Sequence, residues 1–139
     1  MDKQYSIREV AEQFNLPIST LRYYEEVGIL SNIPRNSRGR RVYLDYHINR
    51  LKTICCFKNA GMSIAQLQEF FQYEQNENLY IDDILNLLEN QKIHLLEQLN
   101  KIKHDYEHIN KKLAYYQAMK IAIENQTTLP NWQDYKCHD

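Results

Sequence analysis

Residues 18–43, ISTLRYYEEVGILSNIPRNSRGRRVY, hold a helix signal, a stop and an arginine cluster in that order. Ser19 and Thr20 open the helix, Leu21 and Val27 anchor it, and Gly28 stands where a helix C-terminus needs a residue that tolerates positive φ. Beyond Pro34, four arginines fall within seven residues (Arg35, Arg38, Arg40, Arg41), interrupted by Asn36, Ser37 and Gly39 and followed by Val42 and Tyr43. Asn-Ser-Arg-Gly is turn chemistry, so the run predicts a hairpin that displays the arginines on a β-ribbon tip. A guanidinium keeps its charge and donates two parallel hydrogen bonds, which suits phosphate. A helix with such a ribbon beside it fits the backbone and groove of a duplex.

Toward the N-terminus, Ser6-Ile7-Arg8-Glu9 reads as a capping box, and Ile7, Val10, Ala11 and Phe14 follow on one helical face. Leu16-Pro17 breaks that helix, and the next starts within three residues. Two short helices so joined predict a helix-turn-helix whose second member lies in the major groove.

Toward the C-terminus, a third helix is expected from Asp45 as N-cap to Asn59, with Ile48, Leu51 and Cys55 on one face and Gly61 after it. Ser63-x-x-Gln66 caps a fourth, with Ile64, Leu67, Phe70 and Phe71 apolar. Four helices and the ribbon make a winged-helix module, and the polar run Gln72 to Asn78 reads as a linker.

From Ile81 a heptad begins. Ile81, Leu88, Leu95, Ile102, Ile109, Tyr116 and Ile123 recur every seven residues, and Leu85, Lys92, Leu99, Tyr106, Leu113 and Lys120 lie four after each of the first six. A helix of about 44 residues is roughly 66 Å long, more than the module can cover. Its stripe therefore predicts a homodimer through Leu88, Leu95, Leu99, Ile102, Tyr106, Ile109 and Leu113, although the heptad does not set the direction of pairing. The expected fold is mainly all-α: a winged helix-turn-helix DNA-binding domain with a small β-ribbon wing over 1–75, a coiled-coil dimerisation helix over 80–125 and a tail over 126–139. Trp132 and Tyr135 leave the packing of that tail open.

Thr20-Leu21-Arg22-Tyr23-Tyr24-Glu25, Gly28-Ile29-Leu30, adjacent Pro34 and Arg35, Gly39-x-Arg41-x-Tyr43 and Asn59-Ala60-Gly61-Met62-Ser63-Ile64 together resemble the MerR family of bacterial transcription regulators. Arg40 departs from the pattern, standing where many members carry an aromatic and adding a positive charge. By residue type and by the resemblance, Arg22, Tyr23, Arg35, Arg38 and Arg41 contact phosphate or sugar, with Ser19, Thr20 and Tyr43 as further candidates. Tyr24 reads as surface or core, and Arg8 and Arg40 fit a solvated surface equally well. The resemblance further implies antiparallel pairing of the long helix. It also implies activation by bending and untwisting an overlong promoter spacer so that RNA polymerase engages both elements. A symmetric dimer predicts an inverted-repeat operator.

The run Cys56-Phe57-Lys58-Asn59-Ala60-Gly61 is similar to the AdhR and NmlR branch of that family, which answers aldehyde, electrophile or nitrosative stress. Lys52, one turn before Cys56, would raise its thiolate fraction. Two readings stand: a sensor thiol, or a half-buried inert one. Family members that sense metals place a Cys near the start of the long helix and more beyond its end. Here the first is missing, and Cys137-His138 alone is too few donors, so no metal or other cofactor is expected.

The 139-residue chain carries a net charge of −1, but residues 1–60 hold ten Lys and Arg against six Asp and Glu, and the remainder seven against twelve. The +4 end suits phosphate and the −5 end does not. Three cysteines, two of them adjacent, do not make a disulfide framework, and neither a signal peptide nor a membrane-length apolar run is present. A reducing, cytoplasmic setting is expected. The five histidines carry no H-E-x-x-H motif, and three glycines cannot make a Gly-rich phosphate loop, so an enzyme is not expected. The alternative to a promoter regulator is an architectural or partition-type coiled-coil DNA-binding protein without an effector.

Overall fold

The computed structural model describes residues 3–136. In chain order it contains β1 (Gln4–Ser6), α1 (Ile7–Phe14), α2 (Ile18–Glu26), β2 (Val42–Leu44), α3 (Asp45–Asn59), α4 (Ile64–Glu74) and α5 (Ile81–Asn125), with a 3₁₀ turn at Trp132–Asp134. Met1–Gln91 and Lys92–Asp139 form two compact units.

In the first unit each helix begins and ends for a local reason. Ser6 Oγ accepts the Glu9 N–H at 3.1 Å to start α1. Asn15, at φ 53°, closes it, and Leu16 N–H then bonds to Ala11 O at 2.9 Å. Helix α2 starts differently from expectation, because Pro17 occupies the cap position without a side-chain bond and Ser19 and Thr20 lie inside the first turn. Gly28, at φ 84°, turns the chain out of α2. Asp45 is the first residue of α3 rather than its cap. The Leu44 N–H is instead accepted by His47 Nδ1 at 3.0 Å. At α4 the expected capping box is present in both directions, with Ser63 Oγ and Gln66 Oε1 accepting each other's backbone N–H at 3.1 and 2.9 Å.

The apolar faces of these helices meet in one core. Val10 of α1, Leu21 and Tyr24 of α2, Ile48, Leu51 and Ile54 of α3, and Leu67, Phe70 and Phe71 of α4 are buried together with Ile29, Leu30 and Met62 from the connections. Ile54, not Cys55, completes the buried face of α3, since Cys55 is half-buried. The first unit continues past the linker to Gln91 because Ile84, Leu87 and Leu88 of α5 pack on this core.

The sheet also differs from the sequence reading. Its two strands are β1 and β2, antiparallel with Tyr5 opposite Tyr43. The arginine hairpin itself retains one bridge, between Arg35 and Arg41. A three-residue N-terminal strand with one inward side chain carries too little periodicity to be seen beforehand.

In the second unit the tail lies on its own helix. Trp132 packs edge-on against His108 and Tyr115, Tyr135 packs on Tyr115, and the Lys112 ammonium sits 3.7 Å from the Trp132 ring centre. That covers the flank made by His108, Lys112 and Tyr115 and leaves Ile109, Leu113 and Tyr116 exposed beside it.

Leu51 is fully buried at the meeting point of the helices of the first unit. Leu51→Ala should lower stability by about 2–5 kcal/mol, read as a lower denaturant midpoint, through lost burial and the cavity left behind. An unchanged midpoint would mean that the core does not depend on this contact.

Candidate nucleic-acid interface

Helix α2 separates inward from outward residues by its own period. Leu21 is fully buried and Tyr24 nearly so, which turns Arg22 and Tyr23 outward on the same turn. Tyr24 is thereby a core residue. Ser19 is exposed and Thr20 half-exposed at the start of the same helix.

The wing is built by Asn36. Its side-chain oxygen accepts the backbone N–H groups of Arg38 and Arg40 at 2.9 and 3.0 Å, and its backbone bonds to Arg40 and Gly39 close the turn. Gly39, at φ 74°, supplies the left-handed position. Arg35, Arg38 and Arg40 are exposed, while Arg41 is half-buried. Arg35 Nη1 also donates to Gly39 O at 3.2 Å, holding the hairpin shut from its own arm.

Between the start of α1, α2 and the wing lies a cleft of about 600 Å³, lined by Ser6, Ile7, Arg8, Ile18, Arg22, Arg35, Gly39, Arg40 and Arg41. Five guanidiniums and no carboxylate line it, so the cleft attracts anions. Glu25, on the last turn of α2, ion-pairs with Arg41 Nε, and its other oxygen lies 3.9 Å from Arg35 Nη2. Tyr43, expected among the contacts, is instead fully buried with its hydroxyl unpartnered by any protein group. Its position opposite Tyr5 points it into the core, and burial raises its phenol above the usual range, with Arg41 opposing that rise.

Three positioning residues escaped the sequence reading. His47, buried on α3, accepts from Leu44 N–H at Nδ1, which leaves the proton on Nε2, 3.2 Å from the carbonyls of Ser31 and Asn32. It therefore joins the segment leading into the wing to the strand leaving it. Arg50 of α3 donates to Ile29 O at 2.8 Å and stacks its guanidinium 3.8 Å from the Phe71 ring centre, and Gln68 of α4 donates to Val27 O at 2.8 Å. The backbone leaving α2 is thus held from α3 and from α4. A lone His or Arg within a helical pattern carries no advance signal of such roles.

Cys56 is exposed on α3, one turn from Lys52, and Cys55 beside it is half-buried with its thiol pushed up by burial. Cys137 lies outside the described residues. Among the described residues, no group of three or more His, Cys, Asp or Glu is placed to hold a metal ion, and no helix is long and apolar enough to cross a membrane. Of the heptad residues, Leu88 is half-buried against the core of the first unit. Leu95, Leu99, Ile102, Tyr106, Ile109 and Leu113 are exposed at 45–65% of their surface.

The family profile described as MerR HTH family regulatory protein matches residues 5–74. An HTH-type transcriptional regulator of Haemophilus influenzae is 31% identical over 116 residues, spanning 84% of this chain and 86% of that protein. The HTH-type transcriptional regulator AdhR of Bacillus subtilis is 35% identical over 92 residues, 66% of each chain. Among solved structures, HiNmlR, a MerR family regulator lacking the sensor domain and bound to promoter DNA, is similar at a TM-score of 0.78 and 30% identity, covering 86% of this chain and 90% of its own.

A duplex held on this face would meet Arg22 and Arg38 in the open. Arg22→Ala and Arg38→Ala should each weaken binding about equally on every duplex tested and reduce the salt slope by roughly one, because phosphate contacts carry no sequence information. Affinity unchanged from wild type in both variants, measured by fluorescence anisotropy across a salt series, would move the interface elsewhere.

Proposed function

Since this chain belongs to the MerR family of helix-turn-helix regulatory proteins, we propose that it is a dimeric transcriptional regulator that binds an inverted-repeat operator in a promoter spacer. The observation that carries this reading is the cleft in which α2 and the wing present Arg22, Arg35, Arg40 and Arg41 together, with no carboxylate among its lining. Helix α2 would lie in the major groove with Arg22 and Tyr23 on phosphate or sugar and Ser19 and Thr20 beside them, and the wing would add further backbone contacts.

Dimerisation is supported by the chemistry of α5. Among its described residues Leu95, Leu99, Ile102, Tyr106, Ile109 and Leu113 are exposed in a row at heptad spacing, which water disfavours and a second copy relieves. The tail is compatible with this, since it covers a neighbouring flank and leaves that row open.

Activation would proceed by distorting the spacer until RNA polymerase engages both promoter elements. Bending a site of this size costs about 1–6 kcal/mol, which contacts from two wings and two α2 helices offset. The likeness to HiNmlR, a MerR family regulator seen bound to promoter DNA, supports DNA binding by this chain. The likeness to the regulator AdhR agrees with the resemblance of the Cys56 to Gly61 run to that branch, and by that resemblance Cys56, exposed on α3, is the candidate thiol.

The dimer is tested by placing Asp at both Leu99 and Ile102. Unpaired charge in the seam should give monomers by light scattering and reduce affinity for a wild-type-selected duplex at least about tenfold. A dimer that persists would remove the seam from the proposal.

The sensor is tested by thiol chemistry. Cys56 should alkylate well before Cys55, whose raised pKa leaves less thiolate at neutral pH and more as pH rises toward it. Cys56→Ser should bind the selected duplex normally while no longer changing promoter output on exposure to aldehydes. A normal aldehyde response in that variant would rule the thiol out.

A further inference from the structure

Among the described residues, Glu25 is the one acid that both arms of the wing meet. Its carboxylate accepts from Arg41 Nε on the returning arm and lies 3.9 Å from Arg35 Nη2 on the outgoing arm, and those two arginines form the bridge that starts the hairpin. The side chains of Glu25 and Arg41 keep only 27% and 21% of their exposure, so the pair is partly withdrawn from water and holds its geometry better than an open surface pair. Helix α2 does not need Glu25 for its own anchoring, because Leu21 and Tyr24 already fix it in the core.

Against phosphate, Glu25 works at a disadvantage. It neutralises guanidiniums that line the cleft and sets a negative charge close to the duplex, which lowers affinity for all sequences alike. What it supplies is a fixed spacing between α2, which on the DNA-binding reading enters the groove, and the wing, which on that reading reaches the neighbouring backbone. We infer that Glu25 is a specificity-determining positioning residue: it locks the wing to α2 so that groove and backbone contacts share one register, and it lowers binding to duplexes that do not offer both. The inference rests on the DNA-binding reading above.

The experiment uses the full chain and two probes of equal length: a duplex enriched by the wild-type protein from a randomised pool, and its scrambled counterpart. With Glu25→Gln, which keeps the shape and loses the charge, affinity for the scrambled duplex should rise roughly two- to tenfold. Affinity for the selected duplex should fall by a similar factor, so that the two converge. The salt slope on the scrambled duplex should steepen as Arg41 becomes available to phosphate. Affinities that rise together would make Glu25 a bulk charge, and affinities that fall together would make it a general structural support; either overturns the inference. If Glu25→Gln fails to fold by circular dichroism, Arg41→Lys takes its place, keeping the charge but withdrawing the Nε donor. It should weaken the selected duplex and spare the scrambled one, and equal effects on both would overturn the inference. A wild-type protein that enriches no duplex from the pool would defeat the DNA-binding reading itself, a different result from any of these.

Discussion

Burial of Leu21 and Tyr24 is the constraint on which the arginine-lined surface depends. A nine-residue helix is too short to persist in water by its own hydrogen bonds, so α2 exists because its inward face completes the core of α1, α3 and α4. Once those two side chains are inside, the helical period leaves Arg22 and Tyr23 no direction but outward. Presentation of charge is thus a consequence of packing. The same logic governs the wing, where Tyr43 goes into the core opposite Tyr5 and its neighbours Arg41 and Val42 stay only half-buried.

Helix α5 shows the opposite condition. It is 45 residues long, with Ile84, Leu87 and Leu88 of its opening turns packed on the core of the first unit, and Ala122 is its one buried residue. At about 25 cal/mol per Å² of apolar surface, six large side chains left open in one row are a substantial unmet driving force for association. The tail relieves part of the apolar surface of α5 and stops short of the row, with the ring of Trp132 occupied by Tyr115, His108 and Lys112.

What could be read in the sequence followed from periodicity and punctuation. The helical stripes, the Ser63 to Gln66 box, the turn at Gly28, the heptad and the position of the arginine hairpin all rest on residue type at fixed spacing, and each was legible. Contacts between distant residues were not. The pairing of β1 with β2 joins Tyr5 to Tyr43, the Glu25 clamp joins a helix to a hairpin, and His47 reaches back to Ser31 and Asn32. None of these leaves a local pattern. Tyr43 went to the wrong side for the same reason, because a tyrosine after an arginine cluster reads as part of the cluster until its strand partner is known.

The couplings between α3, α4 and the arginine-bearing parts are of this distant kind. Arg50 and Gln68 hold the carbonyls of Ile29 and Val27 just beyond α2, so α3 and α4 each grip that helix at its C-terminal end. A cation there also complements the negative end of the helix dipole. Arg50 adds a stack on Phe71, which gives α3 and α4 a shared attachment at that point. Cys56 lies on the exposed side of the same α3, less than two turns beyond Arg50. An adduct on that thiol would leave the cleft untouched and act by shifting α3. Within the first unit, side-chain routes from α3 run through Arg50 to the end of α2 and through His47 to the root of the wing. A shift of α3 carried along them would change the angle at which α2 and the wing are offered.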